Sequence, residues 1–284
     1  MVENRPLLTI LSHLVLIMGV SVLVFPIWVT FVASTHTASD LMTVPIPLWP
    51  GDQLWENYSQ VLSKGLDNPT AGGTPVVVML KNSLIMALGI AIGKIIVSFM
   101  AAFAIVYFRF PFRMVAFWMI FLTLMLPVEV RILPTYKVVS DLGLLNSYLG
   151  LTLPIIASAT ATFLFRQFFL TVPDELAEAA RIDGAGPLRF MKDILLPLSR
   201  TNIAALFVIM FTFGWNQYLW PLLMTTDPRY LTVTIGIQQL INVGDTDPQW
   251  PLVMAAVILA MLPPVVVVLV MQRQFVKGLV ETEK

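Results

Sequence analysis

The sequence predicts an all-α integral membrane protein, with six transmembrane helices and a cytoplasmic loop between the fourth and fifth. Three observations lead there. Hydrophobic residues make up 57% of the 284 and charged residues only 12%, a balance that excludes a soluble enzyme. Several apolar runs reach the length of about 20 residues that a helix needs to cross hydrocarbon. Lysine and arginine divide unequally between the two sides of a chain threaded through six spans. Seventeen cations offset seventeen acids, which leaves no excess of positive charge to displace counterions and argues against a nucleic-acid partner. The lack of cysteine removes disulfides, thiolate catalysis and cysteine metal sites. Two histidines, His13 and His36, do not make a metal cluster, and His13 falls near the membrane face in a structural role.

The first apolar segment, residues 7–32, follows Arg5. It is longer than a signal-peptide core and Ala33-Ser34 is a poor cleavage site, so it reads as an uncleaved span. About 40 polar residues follow. They include Pro45, Pro47 and Pro50 and then GDQLWENYSQVL, where Leu54, Tyr58, Val61 and Leu62 share a helical face. That piece reads as an interfacial helix, with Trp49, Trp55 and Tyr58 at headgroup level, or as a surface packed on a partner. Further spans are expected at about 76–108, 114–130, 148–169, 203–224 and 252–271. With the N-terminus inside, Arg5, Arg109, Arg113, Arg166, Arg181, Arg189, Lys192, Arg200, Arg273, Lys277 and Lys284 are cytoplasmic. Only Lys64, Lys81, Arg131, Lys137 and Arg229 lie outside, and Lys94 lies within a span. The positive-inside rule then places both termini and the loop 170–200 in the cytoplasm. Neither a repeat nor a domain linker interrupts the chain, which reads as one membrane domain over 1–284.

The loop 170–200 carries the most specific signal. A helix is expected from Pro173, favoured by Asp174, Glu175 and Glu178 at its positive end, with Leu176, Ala179, Ala180 and Ile182 as spaced apolar contacts. Gly184 supplies the stop. A second helix restarts at Pro187, buries Leu188, Met191 and Leu195, and ends near Pro197. Arg166 just before the loop and Arg181, Arg189, Lys192 and Arg200 within it are balanced by Asp174, Glu175, Glu178, Asp183 and Asp193, so a protein socket accounts for it better than attraction to anionic lipid. Glu178-Ala179-Ala180 is followed after three residues by Gly184, after nine more by Ile194, and then by Leu196-Pro197. This spacing resembles the EAA loop of ABC importer permeases, without departure.

The segments MVENRPLLTILSHL, FWMIFLTLMLPVEVRILPT, GLTLPIIASATATFLFRQFF, VPDELAEAARIDGAGP and VVLVMQRQFVKGLV resemble the maltose-type, carbohydrate-uptake branch of those permeases, and within it the importers of sn-glycerol 3-phosphate. The likeness runs nearly end to end and is weakest over 38–75 and 227–251. It implies a non-catalytic subunit that works with a second permease, two copies of a cytoplasmic ATPase and a periplasmic solute-binding protein. ATP and magnesium would sit on the ATPase, with no cofactor in this chain. It also implies that Glu178, Ala179, Ala180, Asp183, Gly184, Ile194, Leu196 and Pro197 form the contact through which the ATPase drives the bundle. A permease for a sugar or another small polar solute is the alternative within the class. A secondary transporter or channel is the rival outside it, but it calls for intramembrane carboxylates or half-helix repeats, and only Glu129 is offered.

Within the spans, Lys94 is roughly 20 Å from either end of its helix, too deep to snorkel easily. Solute contact or gating and structural pairing both fit it. GIAIGK, ending at Lys94, is one residue short of a phosphate-binding loop and lacks its Ser or Thr, so Gly89 and Gly93 read as a small-residue packing face. Asn216 and Gln217, among Trp215, Tyr218 and Trp220, are either an aromatic belt with interhelical amides or a polar lining of the solute path. The resemblance favours the latter, because an aromatic-amide run near a proline at this place is similar to the carbohydrate-type permeases. Glu129 and Arg131 read as an interfacial pair. Thr152, Ser158, Thr160 and Thr162 are tolerated by bonding to backbone.

Overall fold

In the computed structural model the described residues are 6–64, 73–123, 126, 128–241 and 248–280, and no strand occurs among them. They fall into two compact units, one drawn from 1–78 and 236–262, the other from 79–235 and 263–284.

In the first unit, α1 (Pro6–Ala33) matches the first predicted span. It is apolar on every side, and its side chains stand exposed from Leu7 to Trp28, as they would in a helix surrounded by lipid or by another subunit. Burial begins only at Val32. There Ser34 and Thr35, both fully buried, enter a polar knot that satisfies the end of the helix. The Asn57 amide donates to the Ser34 and His36 carbonyls at 2.9 and 3.0 Å. The Gly51 N–H donates to Thr35 Oγ1 at 2.8 Å. The Trp28 indole N–H reaches the Leu48 carbonyl at 3.0 Å. Helix α2 (Ala38–Leu41) is closed by a capping box of Thr37 and Asp40. Helix α3 (Leu54–Ser63) forms where a helix at an interface or against a partner is expected. Val61 is buried, Leu54, Tyr58 and Leu62 are half-buried, and Trp55 stands outside. The buried member that the apolar pattern does not show is Asn57.

In the second unit, α4 (Val76–Tyr107) is long and unbroken. It crosses its neighbours very closely. A Cβ on Gly89 would lie 2.8 Å from Thr152 Cγ2, and one on Gly93 only 2.6 Å from Ile156 Cγ2, so the predicted small-residue face is where α4 meets another segment. Helices α5 (Arg113–Leu122) and α6 (Val128–Asp141) follow. The expected third span, 114–130, thus corresponds to a ten-residue apolar helix and the start of another, and part of it and the Glu129 side chain lie outside the described residues.

The expected fourth span is not one helix. Helix α7 (Tyr148–Thr152) tightens into a 3₁₀ turn at Leu153–Ile155, and α8 (Ala159–Phe169) restarts after a 49° bend. Pro154 denies the backbone a donor, and the Ser158 hydroxyl caps the restarted helix by accepting from the Ala161 N–H at 3.2 Å. Two pieces also replace the expected fifth span. After the loop helices α9 (Asp174–Ile182), α10 (Pro187–Phe190) and α11 (Leu196–Leu198) comes α12 (Arg200–Trp215), then a break at 216–218 and α13 (Leu219–Met224). Pro221 cannot donate to the carbonyl of Gln217 four residues back. That carbonyl instead accepts from Thr234 Oγ1 at 2.7 Å.

The chain closes with α14 (Val233–Ile241) and α15 (Trp250–Val280), the latter containing the sixth expected span. By length and hydropathy three helices can cross a membrane, Leu7–Ala33, Val76–Tyr107 and Trp250–Gln272. Counting each bent pair, α7–α8 and α10–α12, as one span brings the total to five. The core of the second unit gathers Met86, Ile90, Ile132, Val139, Leu151, Trp220 and Met224. Buried Asn82 of α4 pins the segment after α13 by donating to the Arg229 and Leu231 carbonyls, both at 2.9 Å, while accepting from the Tyr148 hydroxyl at 2.7 Å.

Candidate functional site

The loop between α8 and α12 is a helix, a turn and a second helix, as its sequence predicts, with three corrections. Helix α9 begins at Asp174 because Pro173 keeps an extended ψ of 135° and serves as the N-cap. Asp174 and Glu175 occupy its first turn and Arg181 its last, complementing the helix dipole at both ends. Its C-terminus is closed by a pair of bonds. The Ala185 N–H reaches the Ala180 carbonyl at 2.8 Å and the Gly184 N–H reaches that of Arg181 at 3.0 Å. This closure requires a left-handed residue between them, and Gly184 takes φ +71°.

The second correction concerns Pro197. The helix ends one residue past it, at Leu198, as near as expected, but Leu196 before the proline is itself helical. The backbone widens into a π turn over Met191–Leu195, with the Leu196 N–H bonded to the Met191 carbonyl, and continues to Leu198. Widening places the missing donor of Pro197 where no α bond is demanded. The chain then turns by 75° into α12. At the corner Ser199 is fully buried, and its hydroxyl donates to the Leu195 carbonyl at 2.7 Å.

The third correction is the buried face. Leu195 is buried and Met191 half-buried, but Leu188 is 71% exposed. The anchor is Phe190, buried and set edge-on to Tyr107 at the end of α4, ring centroids 5.2 Å apart. Tyr107 also meets Phe103 at 5.4 Å and Phe169 at 6.1 Å, and Phe169 meets Phe99 at 5.1 Å. An unbroken run of rings therefore ties the loop to α4 and α8. Of the predicted contact residues, Glu178, Ala179, Asp183, Gly184, Leu196 and Pro197 are exposed and Ile194 is half-buried, whereas Ala180 faces inward and is buried. With them stands Ile182, 86% exposed. The loop therefore presents acid, small and large apolar side chains outward on a base fixed by rings.

The three residues expected along the solute path converge on a side chain the sequence does not single out, Phe213. Lys94 is buried, and its Nζ lies 3.7 Å from the centre of the Phe213 ring, a cation–π contact that offsets part of the cost of burying the charge. Gln217 donates to the Phe213 carbonyl at 3.2 Å. Asn216, the C-cap of α12, lines with Phe213, Thr212 and Gln217 an open hollow of about 520 Å³. No group of three or more His, Cys, Asp or Glu side chains suited to a metal occurs among the described residues. Phe213 could have been found from helical spacing, since it lies one turn before Gln217. Phe190 and Tyr107 could not, because nothing marks which of eighteen phenylalanines holds a loop.

Long apolar helices, two of them bent at a break, with a short helical loop between them, fit a membrane transport subunit. The chain belongs to the family of binding-protein-dependent transport system inner membrane components, which it matches over residues 94–281.

Among curated relatives it is 60% identical, over the full length of both chains, to the sn-glycerol-3-phosphate transport system permease protein UgpE of Agrobacterium fabrum and to that of Rhizobium meliloti. It is 58% identical over full length to the UgpE protein of Yersinia pestis bv. Antiqua. These relatives are named as transport permeases, and this chain is a permease subunit, not an enzyme. Its fold is also that of a chain in the crystal structure of a bacterial ABC transporter involved in the import of the acidic polysaccharide alginate. The TM-score is 0.82 at 19% identity, covering 97% of this chain and 99% of that one.

Proposed function

We propose that this chain is the transmembrane subunit of an ATP-driven, binding-protein-dependent importer of sn-glycerol 3-phosphate in a bacterial inner membrane. The observation that carries the solute is the 60% identity, end to end, to permeases named for it. In this reading the chain forms half of a translocation path, shared with a second, UgpA-like permease. Two UgpC-like ATPases hydrolyse ATP in the cytoplasm, and a UgpB-like periplasmic protein delivers solute. The membrane domain extends over 1–284 with six crossings, broken ones included, both termini inside and the loop 170–200 on the cytoplasmic side. The count of eleven cations against five supports that orientation.

Glu178, Ala179, Ala180, Asp183, Gly184, Ile194, Leu196 and Pro197 form the ATPase-coupling element. Exposed Glu178 supplies charge, exposed Ala179 allows close approach, and buried Ala180 seats the helix on the bundle. A shift of the ATPase moves α9–α11 as a body, and the rings of Phe190, Tyr107 and Phe169 carry that shift to α4 and α8, changing the balance of inward- and outward-open states. A phosphate ester cannot cross an apolar path uncompensated. Lys94, with Asn216 and Gln217 around Phe213, provides the compensating charge and hydrogen bonds.

The test is uptake of radiolabelled sn-glycerol 3-phosphate by liposomes holding both permeases and the ATPase, with binding protein outside and ATP inside. ATP-dependent accumulation that a sugar does not compete away is expected. Failure of an ATPase to co-purify with the chain, or accumulation without ATP, would sink the proposal.

A further inference from the structure

The face of α12 turned away from the Phe213 hollow carries a second recess, which shares only Leu196 and Pro197 with the coupling element. Arg200, Ile203, Ala204 and Phe207 recur at the spacing of one helical face, and with Leu196 and Met271 of α15 they line a groove of about 810 Å³. The groove is graded along its length. Lys192 and Arg200 stand at one end, exposed and without an ion pair among the described residues. Asp193, the acid at the same end, is already engaged by Arg189 Nε at 3.4 Å. Phe207 lies seven residues along the helix from Arg200, about 10 Å further in, and between them every lining side chain is apolar.

Two uncompensated cations at the mouth of an apolar groove complement an amphiphile with an anionic head. The hollow of Asn216 and Gln217 lies against the opposite face of α12, that of Val208, Thr212 and Phe213, so this groove is not a wall of that path. We infer that it binds an anionic phospholipid, the headgroup phosphate against Lys192 and Arg200 and one acyl chain along Ile203, Ala204 and Phe207. The inference rests on the membrane placement proposed above. It concerns a local site, since the loop as a whole is neutral and its remaining charges are elsewhere. The lipid lies against the Ser199 corner, where the loop joins α12, so its occupancy bears on how stiffly loop motion is passed on.

Native mass spectrometry of the delipidated, intact importer, titrated with phosphatidylglycerol or phosphatidylcholine, tests this. Phosphatidylglycerol is expected to be retained preferentially. The double variant Lys192→Gln/Arg200→Gln should weaken its retention on the order of 30-fold, as expected for the loss of two cations at an anionic surface, while phosphatidylcholine retention stays the same. Lys192→Arg/Arg200→Lys should preserve binding, and Ala204→Phe, which fills the apolar end with both charges intact, should lower it. Equal retention of the two lipids by the unmodified importer, undiminished phosphatidylglycerol in the double variant, or displacement of the lipid by free sn-glycerol 3-phosphate would overturn the inference. Solute uptake by the same preparation separates the two readings. Lipid retention without uptake counts against the transport function alone, and uptake without selective retention counts against the lipid site alone.

Discussion

Phe190 is the residue whose removal should separate ATP hydrolysis from transport. It is 6% exposed and set at 67° to the Tyr107 ring, and it is the largest buried side chain of the second loop helix. Replacing a buried phenylalanine by alanine costs about 3–5 kcal/mol, of which an edge-to-face pair contributes roughly 0.5–1.5 kcal/mol. Even the lower figure, about 3 kcal/mol, shifts the balance between a seated and an unseated loop by a factor on the order of 100. Phe190→Leu keeps most of the apolar volume and should cost about 1–1.5 kcal/mol, an effect near tenfold. The assay is the number of solute molecules imported per ATP hydrolysed by reconstituted importer. The ratio is expected to collapse in Phe190→Ala while hydrolysis continues, to fall partway in Phe190→Leu, and to stay normal in Tyr107→Phe, which keeps the ring. A Phe190→Ala importer that assembles at normal level with an unchanged ratio would refute the view that the rings transmit the loop's motion.

Further expectations concern the helix crossing, the turn, the buried cation and the loop after α13. Gly93→Val places a side chain where a Cβ already lies 2.6 Å from Ile156 Cγ2, and should destabilise the purified protein by about 1–3 kcal/mol; an unchanged melting temperature in detergent would contradict the close crossing. Gly184→Val forces a branched residue to φ +71° at about 1–2 kcal/mol, and faster hydrogen exchange at residues 180–185 should report the frayed end of α9. Lys94→Met should reduce uptake of sn-glycerol 3-phosphate with insertion and ATPase assembly intact, and normal uptake would leave Lys94 a packing residue held by Phe213. The Arg229 guanidinium, bonded to Asp227 at 2.6 Å, holds that carboxyl below its ordinary value. Pairing therefore adds stability above the ordinary carboxylate value of 3.8 and loses it as pH falls through the lowered one. Arg229→Gln should raise the midpoint seen in the carboxyl carbon resonance, and equal midpoints would remove the pair.

The sequence announces features that only one residue type can satisfy. Gly184 reads as a stop because the closing bonds of α9 need a left-handed residue, and Gly89 and Gly93 read as a crossing because no Cβ fits there. The spacing of Glu178 through Pro197 is similarly explicit. The breaks at 156–158 and 216–218 are hidden, because hydropathy follows side chains whereas a break is decided by whether a carbonyl finds a donor. Pro154 and Pro221 were the available signals, and Pro221 becomes decisive only when Thr234, thirteen residues on, is known to cap Gln217. The misjudged face of the second loop helix has a related cause. Apolar spacing shows that Leu188 and Leu195 want to be covered, but not whether the covering comes from this chain. Leu195 turns to its own bundle and Leu188 does not. Phe213 marks a milder limit: its spacing to Gln217 is visible in the sequence, but its contact with Lys94 of another helix shows only in the fold.

The outward set on the loop also has a consequence for how much of this chain a cell can hold. Ile182 at 86% and Leu188 at 71% exposure, with Leu196 and Leu198 at 43% and 47%, leave four large apolar side chains uncovered on one short loop. Scattered apolar side chains are ordinary on a surface, but several large ones together invite self-association. A copy made in excess of its partners carries that surface uncovered, available to other copies and to degradation. Balanced dosage among the subunits thus becomes a requirement written into four side chains, and overproduction of this chain alone should yield aggregates before it yields membrane protein.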